Sequence, residues 1–127
     1  MLQNNIIPKE KEIWWANLQN AIGSQQGGIR PILVISNDKY NYFSPTITAI
    51  PITSKINKKS PVHVMLFADE GNGIQKNSTI EVEKICDINK FQLIKKIGVI
   101  SDVKEREVAE KFTIQFPMLN TLQLVKA

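Results

Sequence analysis

Apolar and polar residues alternate along several short stretches of the chain, each bounded by glycine, proline, asparagine or serine. That pattern predicts β-strands joined by turns. Residues 12–18 (EIWWANL) read as a first strand, with Ile13 and Trp15 facing inward and Trp14 on the other face. Residues 19–29 are polar and hold Gly23, Gly27 and Gly28, so they read as a loop long enough to be functional. Residues 30–36 (RPILVIS) form a β-branched run, with Pro31 at the strand start where no ladder donor is needed. Residues 37–45 are turn-rich with room for a helical turn. Residues 46–53 (TITAIPIT) predict another strand, in which Pro51 implies an edge position or a bulge. A basic loop (55–60), a strand (62–67) and a turn (69–77) follow. Residues 78–88 read as one strand, with Ile80, Val82 and Lys84 on one face and Glu81, Glu83 and Ile85 on the other. A helical turn at 89–93 and a short strand at 96–100 precede Ser101 and Asp102, both suited to cap a helix. Asp102 and Glu105 fit a capping box, and Val108, Phe112, Phe116 and Leu119 recur at helical spacing. The expected helix spans 102–116, with Pro117 forcing a kink or a second short helix within a helical segment ending near residue 125. With residues 1–10 as a loose arm, the expectation is one mainly β domain over 1–127, closed off by a C-terminal helix.

Composition narrows the class. At 127 residues, 43% hydrophobic and 22% charged, the chain has the size and balance of one globular domain. One cysteine allows no internal disulfide, and a reducing cytoplasmic location fits. A tetrahedral zinc site built on the one Cys and the one His would need carboxylates at unusual spacing, so no metal ligand set is expected. The longest apolar run, at 32–35, falls far short of the roughly 20 residues of a spanning helix. The first residues lack the basic start and apolar stretch of a signal peptide, so neither membrane nor export is expected. A net charge of +4 permits an anionic partner. Arg30 and Arg106 are the only arginines among 16 basic residues, so a forked, planar cation has just these sources.

The blocks EIWWANL, AIGSQQGGIRPILVISND, FSPTITAIPIT, PVHV, STIEVEKICDINKFQL and IGVISD resemble, in order and spacing, the MazF/PemK family of toxin endoribonucleases. The resemblance covers residues 11–111, and its most specific part is the G-S-x-Q-G-G-I-R-P block. It implies a small barrel-like sheet of the SH3-like and CcdB-like kind with a C-terminal helix, assembled as a homodimer. It also implies cleavage of single-stranded RNA at short sequences without metal or other cofactor. The implied partner besides RNA is a cognate antitoxin whose flexible tail lies across the RNA groove.

Metal-free cleavage uses the substrate's own 2′-hydroxyl as nucleophile and leaves a 2′,3′-cyclic phosphate and a 5′-hydroxyl. The protein must move protons and supply charge to the phosphorane. His63 is the only histidine, which excludes a two-histidine mechanism and reads as structural. Arg30 follows a Gly-Gly pair, precedes Pro31 and carries a fork that grips two phosphate oxygens. The resemblance makes it catalytic; the alternative is an ion pair at a strand end. It also implies a catalytic Thr53, otherwise an ordinary turn residue, and an acid at Glu83, otherwise a solvated strand residue. In the 19–29 flap, Ser24, Gln25 and Gln26 are candidates to read base edges, while Gly27 and Gly28 allow close approach. Most family members carry Glu where Gln25 stands, so a negative charge and a possible base are absent. Lys84, Ile85 and Cys86 replace the family's Gln-Ile-Arg; Lys84 restores some charge and Cys86 reads as a small apolar residue. Lys55, Lys58 and Lys59 border the implied groove and are candidates for phosphate contact, or simply solvated. Trp14, Trp15, Tyr40, Tyr42 and Phe43 offer stacking surfaces, with core packing the main expectation for Trp15. Two other readings remain open: a relative that binds RNA or antitoxin without cleaving, and a CcdB-like protein that poisons gyrase.

Overall fold

The computed structural model describes residues 7–19, 27–55, 60–69 and 71–121. The first hairpin joins β1 (Glu12–Asn17) to β2 (Ile29–Val34), antiparallel, with Trp14 opposite Ile32 and Ala16 opposite Arg30. A short helix α1 (Asp38–Phe43), capped by Asn37, then leads into β3 (Thr46–Thr53). β4 (His63–Leu66) and β5 (Ser78–Glu81) form a second hairpin. β6 (Cys86–Asn89), β7 (Leu93–Val99) and helix α2 (Asp102–Gln115) complete the elements.

The strands run in the order β4-β5-β3-β2-β1-β7, with β6 also paired to β3. The sheet is therefore not a closed barrel: β4 and β7 end the strand order, and β6 pairs with β3 alone. Both of its faces are buried. Ile13, Leu33, Ile50, Ile52, Val64 and Ile80 lie in one core, which Val108 and Phe112 of α2 help to cover. Trp14, Ala16, Ile32, Val34, Ile47, Ala49 and Ile88 form a second core on the opposite side. This two-sided burial reverses the expectation for the tryptophans. Trp14 is the buried one, its indole N–H donating to Glu12 Oε1 at 2.9 Å, while Trp15 is only half-buried.

Strand β3 changes partner partway along. Thr46–Ala49 pair with β6, and Ile52 and Thr53 pair with β5. Pro51 falls in the gap between these ladders and needs no amide donor there. It thus sits in a central strand, neither at an edge nor in a bulge. The same change of partner breaks the expected 78–88 strand in two, with a 3-10 turn at Val82–Lys84 carrying the chain from β5 to β6. Alternation continues across the break and conceals it.

The expected helical turn before the last strand is a 3-10 turn, Lys90–Gln92, held by a capping box between Asn89 and Gln92. β7 starts at Leu93, earlier than expected. Ser101 caps α2, accepting from the Lys104 amide at 3.2 Å. Asp102 and Glu105 form no capping box with one another; both face Lys11, at 2.5 Å and 3.6 Å. Past α2, Pro117–Leu119 form a separate 3-10 turn, the second of the two outcomes expected of Pro117.

The turn before β5 is bolted to β7. Buried Asn72 accepts from the Ile74 amide at 3.0 Å and donates to the Phe67 carbonyl at 2.8 Å. Gly73 has φ +72°, and a Cβ there would lie 1.9 Å from the Ile97 carbonyl oxygen. A Cβ on Gly98 would lie 2.3 Å from the Asn72 carbonyl carbon. The two backbones touch because neither residue has a side chain.

Candidate nucleic-acid interface

Arg30 lies near the start of β2, where its Nε donates to the Gly27 carbonyl at 2.9 Å. Gly28, at φ +84°, provides the left-handed step that turns this carbonyl back toward the strand. The Leu18 amide donates to the Gly28 carbonyl at 2.8 Å and closes the neck of the 19–29 loop. The Gly-Gly pair therefore shapes the arginine's position as well as leaving room beside it.

Thr53 ends β3 and is 8% exposed. Its Oγ1 accepts from the Lys55 amide at 3.2 Å, leaving the hydroxyl proton to donate elsewhere. The register of β2 on β3 pairs Ile32 with Pro51 and Leu33 with Ile50. Continued along both strands, that register sets Arg30 across from Thr53. The β3–β5 ladder pairs Thr53 with Thr79, and the β5–β4 ladder pairs Thr79 with Met65 and Glu81 with His63. Ile52, Ile80 and Val64 point into the main core. Arg30, Thr53, Thr79, Glu81 and His63 therefore line the opposite face as one polar strip, with strands about 4.8 Å apart.

Glu83, from the 3-10 turn, joins the far end of this strip: its Oε2 lies 2.9 Å from His63 Nε2. Glu81 Oε2 lies 3.7 Å from the same nitrogen. Glu83 is thus drawn to a histidine at the edge strand rather than standing solvated. His63, expected to be structural, is the partner the sequence did not indicate: the pairing spans 20 residues and depends on the β4–β5 register.

A shallow depression of about 290 Å³ opens beside Arg30, lined by Trp15, Ile29, Arg30, Pro31, Ile52, Ser54, Ile74, Gln75, Lys76 and Ser78. Trp15 supplies an aromatic face there instead of filling a core. Ser54, one residue beyond Thr53, lines this depression, whereas Thr53 belongs to the polar strip. Gln75 and Lys76 come from the turn tied to β7, and nothing in that stretch of sequence marks them as site residues.

The other expected contacts are placed unevenly. Gly27 and Gly28 stand at the neck of the flap, while Ser24, Gln25 and Gln26 lie outside the described residues. Lys55 is exposed two residues after Thr53; Lys58 and Lys59 lie outside the described residues. Lys84 is half-buried in the turn beside Glu83. Tyr42 and Phe43 are exposed on α1 and meet edge to face at 4.8 Å. Burial pushes the Cys86 thiol up from its ordinary pKa, helped by neighbouring Asp87. A protonated thiol at neutral pH is a poor nucleophile.

An open-ended, two-faced antiparallel sheet with an arginine and a threonine at neighbouring strand ends matches a known class. The family model described as "PemK-like, MazF-like toxin of type II toxin-antitoxin system" matches residues 9–116, and the chain belongs to that family. Among its relatives, Endoribonuclease EndoA of Bacillus subtilis (strain 168) is 38% identical over 116 residues, covering 91% of this chain and 99% of its own. Endoribonuclease MazF of Staphylococcus saprophyticus is 38% identical over 117 residues, covering 91% of this chain and 96% of its own. The crystal structure of MazF (Form-I) from Deinococcus radiodurans shares the fold, with a TM-score of 0.77 at 24% identity over 89% of this chain and 99% of that one.

Proposed function

We propose that this chain is the endoribonuclease toxin of a toxin–antitoxin pair, acting in the cytoplasm as a homodimer. It cuts single-stranded mRNA at short sequences without metal and is held in check by a cognate antitoxin. Relatives at 38% identity named as endoribonucleases support the activity. The observation that supports the chemistry is the β2–β3 register, Ile32 opposite Pro51, whose continuation by two residues brings Arg30 toward Thr53.

The 2′-hydroxyl attacks the adjacent phosphorus, the P–O5′ bond breaks, the departing O5′ takes a proton from solvent, and a 2′,3′-cyclic phosphate and a 5′-hydroxyl result. Arg30 grips two nonbridging oxygens as negative charge grows on them. The Thr53 hydroxyl donates to a phosphate oxygen. Glu83, backed by His63, is the acceptor for the 2′-hydroxyl proton, which reaches it through water because the pair stands at the far end of the strip from Arg30. Trp15 stacks on a base in the depression beside Arg30, where Lys76 meets a flanking phosphate, and Lys55 meets another after Thr53. Ser24, Gln25, Gln26, Gly27 and Gly28 face the bases from the flap, and Lys58, Lys59 and Lys84 add positive charge at its margins.

The test is primer extension on a long mixed-sequence RNA incubated with the protein in EDTA. Discrete cuts at a recurring short sequence, with cyclic-phosphate ends, are expected. RNA bound but left whole at every protein concentration would assign the chain to RNA binding alone.

A further inference from the structure

The far end of the polar strip has the makings of a second kind of site. His63 Nε2 stands 2.9 Å from Glu83 Oε2 and 3.7 Å from Glu81 Oε2. One donor atom from each residue lies within 4.8 Å of the others. Imidazole nitrogen and carboxylate oxygen bind Zn²⁺ at about 2.0–2.2 Å, so tetrahedral geometry spaces ligand atoms about 3.3–3.6 Å apart. The two separations from His63 Nε2 fall on either side of that spacing, and the three donor atoms together lie within 4.8 Å.

The backbone supplies this arrangement. His63 and Glu81 are cross-strand partners, so their side chains leave the sheet together. In a continuing strand, residue 83 would stand about 6.8 Å beyond residue 81. The 3-10 turn Val82–Lys84 rises only about 2.0 Å per residue and brings Glu83 back to the same imidazole. Glu83 Oε1 is buried without a hydrogen-bond partner. A carboxylate oxygen removed from water with no donor is unfavourable, and a cation among these three residues relieves it. The His63 and Glu81 side chains are 6% and 13% exposed and that of Glu83 31%, so the cluster is largely withdrawn from water, with Glu83 its most exposed member.

We propose that His63, Glu81 and Glu83 form a binding site for a divalent transition metal ion of the Zn²⁺ class, with water completing the coordination. The mixed nitrogen and oxygen donors favour this class over Mg²⁺ or Ca²⁺, which prefer oxygen alone. The ion takes no part in cleavage. It occupies Glu83 and thereby opposes the reaction, a consequence that rests on the proposed function, whereas the binding itself does not.

The experiment titrates metal-stripped, untagged full-length protein with Zn²⁺ by calorimetry and with Co²⁺ by visible absorption, alongside thermal unfolding with and without Zn²⁺. Saturable uptake of one ion per chain, the intense visible bands of tetrahedral Co²⁺ and a raised Tm are expected. Glu81→Gln and His63→Gln should each weaken binding by at least about tenfold, because loss of a ligand costs no less than loss of its outer-shell support. Cys86→Ser should bind as the parent does. No saturable uptake by the parent protein overturns the site without reference to any variant. Equal affinity in folded Glu81→Gln and His63→Gln, checked by circular dichroism, overturns it too. Zn²⁺ uptake at these residues with undiminished RNA cleavage supports the site and removes Glu83 from the reaction.

Discussion

Arg30 makes a one-sided demand on its replacement. Arg30→Ala should lower the cleavage rate by roughly 10²–10³, the scale of losing a main donor to developing oxyanion charge. Arg30→Lys should recover little of it, because an ammonium cannot span two phosphate oxygens from the place that the Gly27 carbonyl fixes. Single-turnover assays on a short RNA check both. Trp15→Ala should weaken binding of a noncleavable RNA, 2′-deoxy at the cut site, by about 1–3 kcal/mol in a fluorescence anisotropy titration. Of these two residues, the sequence announced only the arginine. Its Gly-Gly and Pro neighbours constrain the backbone in a way that is legible without coordinates. Trp14 and Trp15 were not separable, because alternation tells which residues share a face, and here both faces of β1 meet a core. Gln75 and Lys76 gave no signal either: they reach the depression only through the docking of their turn.

The elements that could be read were those whose limits are set locally. β3 runs over Thr46–Thr53 as expected, between Ser44-Pro45 and a basic loop, and α2 begins at the Ser101 cap. What could not be read was a strand serving two partners, since a change of neighbour leaves no trace in the strand's own alternation. Two predictions belong here. Gly98→Ala would drive a methyl into the Asn72 backbone, so it should cost on the order of 1–3 kcal/mol in urea unfolding. By loosening the turn that carries Gln75 and Lys76, it should also weaken RNA binding. The second concerns the Lys11–Asp102 pair. The hydrogen bond from Lys11 and its charge hold the Asp102 carboxyl below the ordinary value of 3.8. A depressed native pKa means that this stabilisation is present above the unfolded value and fades as pH falls through the native one. Asp102→Asn should therefore lower Tm at neutral pH and bring the two proteins' curves together below about pH 4, with salt narrowing the gap. A Tm series from pH 2 to 7 measures this.

For the whole molecule, the alternating pattern and the terminal helix conveyed a mainly β fold, and the ordered motif blocks conveyed the family. The resemblance implied a barrel-like sheet; the sheet found is open, and which strands end it depends on long-range pairing. The net charge of +4 is modest, so electrostatic attraction to RNA must come from individual lysines such as Lys55 and Lys76. Affinity should fall linearly with salt on logarithmic axes, with a slope of about −0.7 for each phosphate neutralised on a single strand. Lys55→Ala combined with Lys76→Ala should flatten that slope by about 1.4, if each lysine meets one phosphate. The unclosed sheet carries a further obligation. An unpaired rim of amides and carbonyls invites another chain to add itself and, repeated, to build a fibre. Exposed Lys95 and Lys96 repel such an addition along β7, with Lys96 held 3.1 Å from Glu12, and α2 lies against β4 at the other end. The two strands that end the sheet's order are thus both guarded against a further strand.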